Sequence, residues 1–109
     1  MGQLHYKGYV GSVEYDEENN SFFGHVLGLN RDGICYEGAT ADELLKDFHD
    51  GVDDYLAHCA EKGKTPEKSY SGKTVVRMTS DLHQKAASTA HKRGISLNEF
   101  INLAIAAAL

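Results

Sequence analysis

An α+β fold follows from three features of the sequence. Short β-type runs separated by Asp-, Asn- and Gly-rich turns occupy the first 38 residues, helical apolar periodicities follow, and the charge reverses sign between the two halves. At 109 residues the chain is one domain or two small modules, which excludes a large two-domain enzyme. Hydrophobic residues at 41% and charged residues at 25% fit an ordinary globular protein, with no apolar run long enough to span a membrane. No signal-peptide pattern opens the chain. Two cysteines, Cys35 and Cys59, make no disulfide framework, so a reducing, cytoplasmic location is expected.

Taken in order, residues 6–15 alternate as one strand, with Tyr9, Val13 and Tyr15 on one face and Val10, Ser12 and Glu14 on the other. The apolar-free stretch 16–20 is a turn, and β character resumes over 21–27 with Phe22, Phe23 and Val26. A second turn at 28–33 leads into a short strand at 34–38, giving a three-stranded antiparallel meander. Thr40 and Glu43 have capping-box spacing and open a helix. Its stripe of Leu44, Leu45, Phe48, Val52, Tyr55, Leu56 and Cys59 packs on the sheet and ends near Gly63. Asp47, Asp50, Asp53 and Asp54 fall off that stripe, as expected for a solvated acidic face.

Residues 63–72 carry the only proline and no apolar period, and read as a linker between a module at 1–62 and a second at 73–109. The first module holds 4 Lys+Arg against 13 Asp+Glu, and residues 63–109 hold 7 against 3: −9 and +4. Beyond the linker a short strand over 73–79 sets Thr74, Val76 and Met78 against Lys73, Val75 and Arg77. A helix capped at Thr79 or Ser80 runs to about Arg93 with Gly94 as its stop. Ser96 and Glu99 form a second capping box before a helix with Leu97, Phe100, Ile101, Ala104, Ile105 and Ala108 on one stripe.

That tail strand has no local partner, and about 37 residues are too few to fold unaided. Antiparallel pairing with a second copy would satisfy the ladder, bury Val76 and Met78, and expose Lys73, Val75 and Arg77 as a basic ribbon of a size that fits the DNA major groove. The capped start at Ser96 would offer N–H groups to a phosphate.

The run KTVVRMTSDLHQKAASTAHKRGISLNEFINLAI resembles the ribbon-helix-helix family of DNA-binding proteins. The resemblance implies that Lys73, Val75 and Arg77 read base edges and that Ser96, Leu97 and Asn98 meet the DNA backbone. Valine at position 75 departs from the polar residue often found there, and suits a thymine methyl. The first half, through YVGSVEYDEENNSFFGHVLGL and YEGATADELLKDFHDGVDDYLAHC, is similar to the HicB antitoxin family. That similarity implies a partial RNase H-like module that neutralises a small mRNA-cleaving HicA toxin, joined to a dimeric tail that represses its own operon.

Tyr15, Asp16, Glu17, Phe22 and Phe23, which combine acids with aromatics, are the candidate toxin contacts. The alternative is a ribbon-helix-helix regulator whose first module senses a ligand or another protein. No enzyme is expected: Glu14 and Asp16 adjoin a turn, the six histidines make no metal-type pairing with the cysteines, and no phosphate loop, serine elbow or CxxC occurs. No catalytic residue, metal or cofactor is therefore assigned.

Overall fold

A computed structural model describes residues 2–109. The chain divides into two compact units, Met1–Lys73 and Thr74–Leu109. The first is a small antiparallel sheet with one helix; the second is a helix pair preceded by an unpaired segment.

The strand expected over residues 6–15 is three pieces: β1 (Gln3–Tyr6), β2 (Tyr9–Ser12) and β3 (Glu14–Asp16). Lys7 and Gly8 both have positive φ (50° and 82°), and Tyr6 pairs with Tyr9 across them, a two-residue turn of the type that matches strand twist. Lys-Gly is a weaker turn signal than Asn-Gly, and for that reason the hairpin was not legible in the sequence. Strands β2 and β3 lie on the same side of β4 (Ser21–His25), β2 through the Gly11–Val26 bridge and the bond from Leu27 N–H to the Val10 carbonyl (2.8 Å). Where the two pieces meet, the Ser12 hydroxyl accepts the His25 N–H at 3.0 Å, so a side chain keeps that amide bonded through the break. The expected face assignment holds through the break, because Gly11 opposite Val26 and Glu14 opposite Phe23 keep one register and Tyr15 stands opposite the core-side Phe22; the two tyrosines differ in depth only. Tyr9 is buried, whereas Tyr15 is 45% exposed.

Strand β5 (Cys35–Gly38) completes the order β3-β4-β5. The long helix α1 (Ala41–Glu61) starts as expected, with the Thr40 hydroxyl accepting the Glu43 N–H at 3.2 Å and the Glu43 carboxylate accepting the Ala39 N–H at 2.8 Å. Leu44, Phe48 and Val52 close a core with Tyr9, Val26, Ile34 and Tyr36; Leu45, assigned to the same stripe, is exposed. The Tyr36 hydroxyl donates to the Ser12 carbonyl at 2.7 Å and so ties the sheet break to the core.

In the second unit, α2 (Ser80–Lys92) is capped by Thr79, and α3 (Leu97–Ala108) by Ser96, whose hydroxyl accepts the Glu99 N–H at 3.0 Å. Between them Ile95 N–H bonds the Ala90 carbonyl and Gly94 N–H that of His91, each at 3.1 Å, with Gly94 left-handed. Ala90 is the buried point of the pair, and the Arg93 guanidinium lies over the Phe100 ring at 5.5 Å. The strand expected over 73–79 is not formed within the single chain. The segment makes no ladder, Val75 and Val76 are 89% and 57% exposed, and Leu82 on the next helix is exposed as well. A strand without a partner cannot satisfy its N–H and C=O groups with backbone, so they remain with water.

Candidate interfaces: a packed strap, an acidic face and a basic segment

Residues 64–72, expected as a linker, are bonded to the first unit as a strap. One carboxylate does most of this. Glu67 accepts the N–H groups of Asn30 (2.9 Å), Arg31 (3.0 and 3.2 Å) and Asp32 (2.7 Å), filling the anion-binding cradle made by the 28–33 turn. Those N–H bonds hold the Glu67 carboxyl below its ordinary value.

A second anchor is the Tyr55 hydroxyl, which accepts the Glu67 N–H at 2.8 Å and donates to Asp32 at 2.6 Å. Burial first, and then the Asp32 bond, push the Tyr55 phenol well up; the same bond, with Lys64 at 3.3 Å, holds Asp32 below the usual carboxylate range. Tyr9 donates its hydroxyl proton to the Glu67 carbonyl, Val10 N–H reaches the Ser69 hydroxyl at 3.1 Å, and Tyr70 N–H reaches the Gly28 carbonyl at 3.2 Å. Gly28 has φ +74°, and a Cβ there would stand 2.4 Å from the Tyr70 nitrogen, so only glycine admits the strap at this point. Nothing in the strap's local periodicity announces these bonds, because each partner lies 12 to 59 residues away in sequence.

The acids of α1 are less uniformly solvated than expected. Asp47 accepts the outward Glu37 N–H of the β5 edge at 2.9 Å, a covered sheet edge. Asp53 accepts Lys7 (2.7 Å) and the Tyr6 hydroxyl (3.0 Å), and the Lys7 bond, then that of Tyr6, hold its carboxyl low. Asp50 pairs with Lys46 one turn away. The Tyr6 ring also stacks on His49, centroids 4.0 Å apart, and so holds β1 on the helix.

The five candidate protein contacts do not form one patch. Phe22 is half-buried on the core side and packs on Tyr15, whose hydroxyl donates to Asn20 at 2.7 Å. Asp16 is spent on its own turn, accepting from Glu18 N–H and from the Asn19 side chain. Glu17 is exposed in that turn. Phe23 points to the other face of the sheet, 42% exposed, with Glu14 and Glu37 paired directly opposite it. Asp16, Phe23 and Glu37 line one shallow cleft, and Glu37 and Asp47 share a second with Phe23. The open face of the sheet is thus an aromatic ring bordered by acids, and Glu37 and Asp47 are the members that sequence reasoning missed.

Among the candidate nucleic-acid residues, Lys73, Val75 and Arg77 are exposed on the unladdered segment. Ser96 and Asn98 are exposed at the start of α3, and Leu97 is half-buried. Among the described residues no three His, Cys, Asp or Glu side chains are grouped to hold a metal ion. No described helix is long and apolar enough to cross a membrane.

A protein-family model described as the HicB family matches residues 55–105. The matched stretch takes in the end of α1, the strap, the unladdered segment, α2 and most of α3. Of the first-half residues that carry the family resemblance, only 55–59 fall inside it. No curated protein and no solved structure gives a significant match.

Proposed function

We propose, from the premise that residues 55–105 place this chain in the HicB family, that it is the antitoxin of a type II toxin-antitoxin pair. In this reading the acidic first unit binds and neutralises a HicA-type mRNA-cleaving toxin, and the tail dimerises as a ribbon-helix-helix and represses its own operon. The protein itself catalyses nothing.

The observation that carries the reading is the segment 73–79, inside the family-matched stretch. It alternates apolar and basic residues, forms no ladder within its own chain, and leads into two capped helices whose apolar faces are half open. Pairing with a second copy removes Val76, Met78 and Leu82 from water, and leaves Val75 and Arg77 outward for a groove. The first unit adds charge complementarity to a basic, RNA-cutting partner, which acts on encounter rate and specificity more than on raw affinity.

Co-expression with the product of the neighbouring gene tests the reading. The two proteins should co-purify and growth arrest by the neighbour should be relieved; separate elution together with unrelieved arrest overturns the antitoxin assignment.

A further inference from the structure

The positive charge of the second half is concentrated. Residues 63–77 hold Lys64, Lys68, Lys73 and Arg77 against one acid, Glu67, a net of +3, with Lys62 directly before them, whereas residues 78–109 hold three Lys+Arg against two Asp+Glu, a net of +1. The single acid is turned inward onto the N–H groups of residues 30–32. The same turn carries Arg31 to the strap. Arg31, Lys68 and Lys73 line one open cleft of about 500 Å³ with the neutral donors Asn30 and Ser71; Glu67 lines it too, its carboxylate taken up by the N–H groups of residues 30–32. Among the described residues no carboxylate lies within 4.0 Å of any of these three cations.

We propose that this strap corner is a phosphate-binding surface that extends the DNA footprint from the tail into the first unit; the proposal rests on the DNA-binding reading above. Three unpaired cations with hydrogen-bonding neighbours suit the oxygens of a phosphate backbone, and carry no sequence information themselves. A duplex is favoured over an acidic protein by continuity of the chain. Lys73 is two residues from Val75, so their Cα atoms are within about 7 Å of each other whatever the arrangement of the two units. A strand laid in a groove through Val75 and Arg77 therefore brings Lys73 to the flanking phosphates, and Lys73 brings with it Arg31 and Lys68. Lys73 becomes a backbone contact rather than a base reader.

The test uses the full chain, a labelled duplex spanning the promoter of its own operon, and a scrambled duplex of equal length. The double variant Arg31→Gln/Lys68→Gln should weaken binding to both duplexes by the same factor. It should also lower the slope of log affinity against log salt by about 1 for each phosphate that a protomer no longer neutralises. Arg77→Ala should instead act selectively on the promoter duplex. Lys68→Gln alone, which removes only an exposed and unpaired cation, gives half the slope change and guards against misfolding of the double variant, as does a circular dichroism spectrum. Wild type and double variant sharing one affinity and one slope would overturn the phosphate surface and leave the ribbon standing. Wild type binding neither duplex would overturn the DNA reading and this surface with it.

Discussion

Tyr55 does two jobs with one oxygen: it accepts the Glu67 N–H and donates to Asp32. Removing that oxygen leaves a half-buried amide and a carboxylate each short of a partner, at a cost of about 1–2 kcal/mol for Tyr55→Phe. Urea denaturation of the first unit's fluorescence should register this as a lower midpoint with unchanged slope. Glu67 predicts a pH effect of definite sign. Its carboxyl is held low in the folded chain, so its contribution is complete above the ordinary glutamate value of about 4.3 and is lost as pH falls through the lower folded value. Glu67→Gln should therefore unfold at lower urea than wild type at neutral pH, and the gap should narrow on acidification below about pH 4.3. A gap that is constant with pH would mean that the carboxylate charge plays no part. Neither residue was legible as an anchor, since Tyr55 reads as one more member of an apolar stripe and Glu67 as one more polar residue of a linker. Both roles arise from partners brought close only by folding.

Among the elements, those set by local rules were readable and those set by partners were not. The caps at Thr40, Thr79 and Ser96, and the stop at Gly94, need only neighbours within four residues, and the helices begin and end where those residues stand. The β1–β2 hairpin depends on a weak Lys-Gly turn, and the break at Val13 on a Ser12 hydroxyl reaching His25; neither leaves a periodic trace. The segment 73–79 is the extreme case, because its proposed partner is outside the chain altogether. Val76→Pro, which removes a ladder donor at its centre, should convert the protein to monomers by light scattering at concentrations where wild type is dimeric. The α2–α3 pair, held by its own caps and by Ala90, should keep its helical signal. Dimers persisting in Val76→Pro would place self-association on another surface.

For the molecule as a whole, the question is whether its two ends act on separate partners. Net charge divides at the strap: the acids of the first unit border Phe23 on an open sheet face, while the cations gather over residues 62–77. Electrostatic surfaces of opposite sign suit a basic protein and a nucleic acid respectively, and a single substitution on either should leave the other intact, as sites that share no partner behave additively. Phe23→Ser removes the exposed aromatic without disturbing the core, because Phe22 faces inward in its stead. It should weaken capture of the neighbouring gene product by at least about tenfold, the loss expected of a central aromatic anchor. Its affinity for the promoter duplex should be unchanged. Arg77→Ala should do the reverse, abolishing preference for the promoter duplex while pull-down of the neighbour is retained. Both are read on one preparation, by anisotropy with labelled DNA and by calorimetry with the purified neighbour. Loss of both activities in either folded variant would mean that the two ends work as one surface and that the strap couples them.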